Sequence, residues 1–301
     1  MKLSQLKDVL AVANKRSFRA AARHLHMTQP AISRSIHELE RDLGILLFDR
    51  HARGAMLTPL GERFVQRASA ALAELQRARD EITQLQGEGM GTVVACLSSG
   101  AQAKLLPAAL TPFLQRYPGV QLQLIEGQYK SAELGLKDGN IDFYIGPEPE
   151  AGIDSELVTE HLYENHLMII ARKGHPLSGV QSLDDLKDAE WLGATTGHEV
   201  DNLTLAFSQQ NVTPPRVAML AGTIQSIALS VMNSDLLALV PYPLARLAAP
   251  LGLTTIQLKT AIRGPRSVLV RRFGMPLTPA AEFFCDMLRR ANQAPDGQPH
   301  P

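Results

Sequence analysis

From Leu57 to Leu85 apolar residues recur at steps of three and four: Leu57, Leu60, Phe64, Ala68, Ala71, Leu75, Ala78, Ile82 and Leu85. This is a narrow heptad-like seam on one helix. Thr58 is placed to cap it, Pro59 fits its first position, and Gln86–Gly87–Glu88–Gly89–Met90–Gly91 breaks it. A helix of about 28 residues reaches about 42 Å. Such a seam can pack on its own domain or on a partner chain, and the glycine-rich break after it favours the partner. The chain therefore divides into a head over 1–58, a linker and dimerisation helix over 59–87, a body over 88–292 and a mobile tail over 293–301.

The head is basic. Residues 1–59 hold ten Lys or Arg against five Asp or Glu, while the whole 301-residue chain is neutral, so the remainder is acidic to the same extent. A basic head on a mildly acidic body suggests that the head meets phosphates and the body does something else. An apolar content of 45% excludes wholesale disorder. No apolar run approaches the length of a membrane span, and the start MKLSQLKDVL lacks the marks of a signal peptide. With Cys96 and Cys285 the only cysteines, a disulfide framework is not expected, and a reducing cytoplasm is.

Three short helices fit the first 43 residues. The first carries Leu3, Leu6, Val9, Leu10 and Ala13 and ends at Asn14–Lys15–Arg16. Ser17 caps the second, whose face is Phe18, Ala21, Ala22 and Leu25. Thr28 caps the third, with Pro30 in its first turn. On that third helix Ile32, Ile36, Leu39 and Leu43 form one stripe. Pro30, Ser33, Arg34, His37 and Arg41 lie opposite, with Gln29 at the boundary. Amide and guanidinium groups suit base edges in a DNA major groove, and hydroxyls and cations suit phosphates. An ordinary solvated face would look similar. The next dozen residues favour DNA: Ile45–Phe48 reads as a strand, His51–Gly54 as a turn and Ala55–Leu57 as a return strand. Arg50 and Arg53 near the tip would form a wing on the flanking backbone or minor groove.

The stretch Ser17–Phe18 … Ala20–Ala21–Ala22 … Leu25, Thr28–Gln29–Pro30–Ala31–Ile32–Ser33, Ile36 … Leu39–Glu40 … Leu43–Gly44, Leu47–Phe48–Asp49–Arg50 … Arg53 … Leu57–Thr58 … Gly61 resembles the LysR-type bacterial transcriptional regulators. The resemblance covers about the first 60 residues almost without gaps. Arg16 stands where that family usually has Gly, and His37 where Arg or Lys is common. The resemblance implies a winged helix-turn-helix head, a linker helix that serves as dimer interface, tetramers built as dimers of dimers, and contact with RNA polymerase. It further implies a body of two α/β lobes of the periplasmic-binding-protein type, lobe one over about 91–163 and 266–292, lobe two over about 164–265. The body is most similar to the subgroup around the p-toluenesulfonate regulator. DNA contacts then fall to Ser17, Thr28, Gln29, Pro30, Ser33, Arg34, His37, Arg50 and Arg53.

Residues alone also give the body an α/β rhythm, with strands at Val93–Leu97, Val120–Ile125, Ile141–Ile145, His166–Ala171, Trp191–Ala194, Val217–Leu220 and Leu236–Pro241. Ala101–Tyr117 reads as a helix interrupted by Pro107 and Pro112. A loop is expected before His166. In a two-lobe body a ligand would lie at the ends of strands and starts of helices. Ser98, Ser99 and Gly100 in one lobe and Thr195, Thr196, Gly197 and His198 in the other are suited to a polar head, joined by Gln128, Pro147 and Thr223. Each could equally be a cap or turn. The expected ligand is a small organic effector, an aromatic or other organic acid, and no cofactor or metal is expected.

No dinucleotide or phosphate loop, nucleophile elbow or His-Glu-x-x-His motif occurs. His161 and His166 are five apart, a spacing that suits neither one helix face nor one strand face. Cys96 and Cys285 sit in apolar surroundings and read as core. The rival reading is a small-molecule-binding or catalytic protein whose basic head serves only dimerisation. The absence of a catalytic constellation counts against it, and no enzyme activity is expected.

Overall fold

The computed structural model describes residues 1–49, 54–87, 89–194 and 202–293. The head begins with three helices, α1 (Leu3–Lys15), α2 (Phe18–His24) and α3 (Gln29–Leu43). A minimal hairpin comes next, β1 (Phe48–Asp49) antiparallel to β2 (Met56–Leu57). The expected strand from Ile45 shrinks to two residues, because Leu47 and Phe48 turn inward to fill the head core with Val9, Val12, Ile32, Ile36 and Leu39. Leu43 does not complete the stripe of α3; it is exposed, and Glu40 is buried in that part of the helix instead.

Arg16 closes α1 in a left-handed conformation, φ 50° and ψ 25°. That conformation costs a residue with a Cβ about 1 kcal/mol relative to glycine. It accounts physically for Gly at this place in the family pattern. The Arg16 carbonyl accepts from the Ala55 N–H at 3.0 Å, so the same bend holds the far arm of the hairpin.

Helix α4 (Pro59–Leu85) is continuous, with the Thr58 hydroxyl accepting from the Gly61 N–H at 2.9 Å. Gly61 lets α4 approach the head: a Cβ there would lie 2.1 Å from the Leu47 carbonyl oxygen. The seam of α4 is split. Leu57 and Phe64 pack on the head core, whereas Leu75, Ile82 and Leu85 are exposed in the single chain. The opposite, polar side is the one held by the body. Arg77 Nε donates to Asp142 at 3.1 Å, and Arg77 also bonds Glu74 and the Gly139 carbonyl. Arg272 reaches Glu74 at 2.8 Å, and the Gln84 side chain accepts from the Ala280 N–H at 2.9 Å.

The body comprises β3 (Gly91–Leu97), α5 (Ser99–Arg116), β4 (Val120–Glu126), α6 (Tyr129–Asp138), β5 (Phe143–Pro147), β6 (Leu157–Tyr163), β7 (His166–Arg172), β8 (Trp191–Ala194), α7 (Asn202–Gln209), β9 (Val217–Ala221), α8 (Ile224–Met232), β10 (Leu237–Pro241), the single turn α9 (Tyr242–Ala245), β11 (Leu253–Ile256), β12 (Ile262–Arg263), β13 (Ser267–Arg272) and α10 (Pro279–Gln293). Two sheets result. The first has the order β4-β3-β5-β13-β6 and the second β11-β7-β10-β8-β9, with β12 also paired to β7. The chain passes between them twice, from β6 to β7 and from β12 to β13. This is the two-lobe α/β body that the resemblance implies. Each sheet packs its own helices: Phe113 of α5 and Phe284 of α10 on the first, and Phe207 of α7 against Trp191 of β8 on the second.

Two local expectations are corrected. Helix α5 runs unbroken through Pro107 and Pro112. Its face Ala101, Leu105, Ala109 and Phe113 is fully buried against α10, and that packing outweighs the bonds the prolines remove. Residues 157–163 are not loop but strand β6, at the edge of the first sheet. Residues 294–301 of the expected tail lie outside the described residues.

Candidate functional site

On the head, α3 buries Ile32, Ile36 and Leu39 and turns Gln29, Pro30, Arg34 and His37 outward, with Ser33 half-buried beside them. Ser17 and Thr28 act as caps: their hydroxyls accept from the N–H of Ala20 at 3.3 Å and of Ala31 at 3.4 Å. The expected wing residues Arg50 and Arg53 lie outside the described residues. What holds α3 to the hairpin is Glu40, whose role no local sequence signal marks. Its buried carboxylate accepts from the Leu47 N–H at 2.8 Å and the Phe48 N–H at 3.3 Å. Its second oxygen lies 3.7 Å from His37 Nδ1 on the outward face. A second tie joins α1 to α3, with the Ser35 hydroxyl donating to the buried Asp8 carboxylate at 2.5 Å.

In the body, a cavity of about 600 Å³ lies between the two sheets. Ser98, Ser99, Gly100, Gln128, Pro147 and Thr223, all singled out from sequence, line it. Thr195, Thr196, Gly197 and His198 lie outside the described residues. Ser98 caps α5, its hydroxyl accepting from the Ala101 N–H at 3.2 Å. Thr223 caps α8 by accepting from the Ser226 N–H at 3.1 Å. Two of the expected contacts therefore double as caps that aim helix starts at the cavity.

The walls differ in chemistry. Lobe one presents Ser99, Gln128, Ser131, Lys130 and Glu126 together with the start of the 18-residue helix α5. Lobe two presents Ile224, Ile227, Leu239, Pro241 and Leu244. A helix start carries partial positive charge and open N–H groups, which with the Lys130 ammonium favours an anionic head. The apolar wall suits a hydrocarbon or aromatic remainder. Elsewhere on α5, burial and the Arg246 guanidinium of lobe two hold the Lys104 ammonium below its ordinary range. Asn165 and Pro265, one from each crossover, complete the cavity floor; neither was anticipated.

Neither cysteine is an activated thiol. Burial pushes Cys96 up to about 11, and burial also raises Cys285 well above the thiol range. His161 pairs with Glu164 at 3.4 Å on the surface. Among the described residues no group of three or more His, Cys, Asp or Glu is placed to hold a metal ion, and no helix is long and apolar enough to cross a membrane.

Comparison with known proteins agrees with this geometry. Residues 3–62 match the model of the bacterial regulatory helix-turn-helix protein, lysR family, and residues 86–293 match that of the LysR substrate binding domain. The SDS degradation transcriptional activation protein of Pseudomonas sp. is 29% identical over 287 residues, 93% of either chain. The transcriptional regulator TdcA of Escherichia coli K12 is 26% identical over 75% of this chain and 72% of its own. A probable RuBisCO transcriptional regulator of Cyanophora paradoxa is 34% identical over 60% of this chain, and the match spans little more than half of that relative, 56%. Among solved structures, the LysR family regulator CbnR superposes with a TM-score of 0.70 at 22% identity, covering 97% of this chain and 99% of CbnR. A full-length OxyR variant of Pseudomonas aeruginosa gives 0.71 at 19% identity, covering 100% and 99%. At those identities the likeness concerns the fold.

Proposed function

Since this chain belongs to the LysR family of DNA-binding transcriptional regulators, we propose that α3 reads the major groove of an operator and that a small organic acid in the interlobe cavity governs the outcome. The observation that carries the reading is the outward face of α3, where Gln29, Arg34 and His37 stand exposed over a fully buried apolar side. Arg34 is the base-reading candidate, because a guanidinium can grip a guanine edge with two hydrogen bonds. The Ser17 and Thr28 hydroxyls and the α3 start would meet phosphates, with Arg50 and Arg53 on the wing. That CbnR has been solved with its target DNA supports this assignment.

The uncovered part of the α4 seam, Leu75, Ile82 and Leu85, is the natural site for a second copy of the chain, which would present two reading helices to two half-sites. Pairing of such dimers would use the lobe edges. Strand β9 ends the second sheet with Val217, Met219 and Leu220 exposed, an open apolar edge of the kind proteins normally cover. Effector binding would then shift the spacing of the heads and their contact with RNA polymerase, which requires unequal affinity for two assemblies.

In the cavity, the acid's anionic head would sit at the start of α5 near Ser98, Ser99, Gly100 and Gln128, and its apolar part against lobe two beside Thr223. Thr195, Thr196, Gly197 and His198 are the proposed lobe-two polar contacts. The test is a gel shift with the DNA upstream of the chain's own gene. Arg34→Ala is expected to weaken specific binding by about 1–3 kcal/mol while non-specific binding persists. Unchanged affinity and selectivity would remove Arg34 from base reading.

A further inference from the structure

One buried side chain, Asn165, bonds across the two crossovers between the lobes. Asn165 is buried and donates from Nδ2 twice, to the Pro265 carbonyl at 3.1 Å and to the Ser267 hydroxyl at 2.7 Å. Its own backbone carbonyl accepts from the Gly264 N–H at 2.9 Å. The orientation of the amide is fixed by chemistry, since the Pro265 carbonyl can only accept. Gly264 permits the close approach: a Cβ there would lie 3.1 Å from Asn165 Cβ and from Leu167 Cγ. Asn165 also lines the interlobe cavity.

The remaining polar atom is Asn165 Oδ1. Both Nδ2 protons are committed to the other crossover, and Oδ1 accepts no hydrogen bond from any described residue. Asn165 borders the cavity, and Oδ1 is the amide atom left to meet what enters it. A carbonyl oxygen held there can only accept.

We propose that Asn165 is a specificity-determining residue of the cavity, accepting a hydrogen bond from a hydroxyl or amine on the acid and linking that contact to the hinge. This rests on the reading of the cavity as an organic-acid site and narrows it to acids that carry a donor. An analogue without the donor would leave Oδ1 desolvated and unpaired, the kind of mismatch that sites reject most strongly. The amide that would meet the ligand also ties residue 165 to the 265–267 segment, so the contact is linked to both crossovers.

The test uses the full chain and three pairs of acids that differ by one hydroxyl: mandelate and phenylacetate, salicylate and benzoate, malate and succinate. Affinities are measured by calorimetry on the wild type, Asn165→Ala and Ser267→Ala. In every pair that binds, the hydroxylated acid is expected to bind about tenfold or more tighter to the wild type, and Asn165→Ala to erase the preference. Ser267→Ala removes a hinge bond without touching Oδ1, and so retains it. Equal binding of both members by the wild type would overturn the assignment of Asn165 while leaving the acid site standing. Loss of the preference in Ser267→Ala as complete as in Asn165→Ala would also overturn it, because Asn165 would then act only through the hinge. No binding of any of the six acids would contradict the acid reading itself, and the inference with it.

Discussion

Replacing Glu40 by alanine will strongly destabilise the head while the body stays folded. Its carboxylate is the acceptor for the Leu47 and Phe48 N–H groups, and both residues are buried in the head core. Alanine leaves the two donors without a partner and opens a hole beneath α3. Each orphaned donor costs about 1–3 kcal/mol, so the expected loss is about 3 kcal/mol or more. A module the size of the head has about 3–9 kcal/mol in all. Glu40→Gln keeps an acceptor oxygen in place and is expected to cost about 1 kcal/mol. Thermal denaturation followed by circular dichroism will show an early transition in Glu40→Ala, with specific DNA binding lost in parallel. A melting profile like that of the wild type would show that the hairpin is held by packing alone.

The second large effect is expected at the junction of α4 with lobe one. Asp142 is buried and accepts from the Val94 N–H at 2.8 Å as well as from Arg77 Nε at 3.1 Å. Arg77 and Arg272 both lean on Glu74, and burial together with the Arg77 charge pushes the Arg272 guanidinium down. Asp142→Ala removes one anion from this cluster and leaves the mostly buried Arg77 guanidinium with Glu74, which it shares with Arg272, and the Gly139 carbonyl. Breaking one side of such a pair costs about 3–5 kcal/mol, whereas replacing both sides by apolar groups often costs little. The double variant Arg77→Met with Asp142→Leu should therefore recover much of the stability that Asp142→Ala loses. Urea unfolding of the three proteins checks this. Equal losses in the single and double variants would mean that the strand bond to Val94, not the ion pair, is what matters. The cluster also joins the lobe that borders the cavity to the helix that follows the head.

The head was legible in the sequence because its signals are local. Caps at Ser17 and Thr28 and the stripe Ile32, Ile36 and Leu39 each follow from a few neighbouring residues. The α4 seam was legible for the same reason, although which half of it packs on the head was not. The body was harder where tertiary packing overrides local preference. The prolines of α5 argue against a continuous helix, and its burial against the first sheet and against α10, more than 160 residues later, sustains it. Strand β6 hides its pattern because an edge strand carries Glu160 and His161 without penalty. Asn165 and Asp142 could not be found from sequence, since each acquires its role from groups brought together by the fold: Ser267 lies 102 positions away in one case and Arg77 lies 65 in the other. The cavity was half legible. Hydroxyls after strand ends marked its polar wall, but nothing in the spacing of Ile224, Ile227 and Leu239 distinguishes cavity lining from core.

Whether the outward face of α3 reads DNA sequence is decided by selection from genomic DNA. Purified chain is mixed with sheared genomic fragments at about 0.15 M salt, where exposed charges are well screened, and the bound fragments are sequenced. Strong enrichment of a few discrete sites containing paired half-sites about one helical turn apart is expected, with loss of that enrichment in Arg34→Ala. Recovery of fragments in proportion to their abundance, with the wild type and the variant alike and with or without small organic acids, would contradict it.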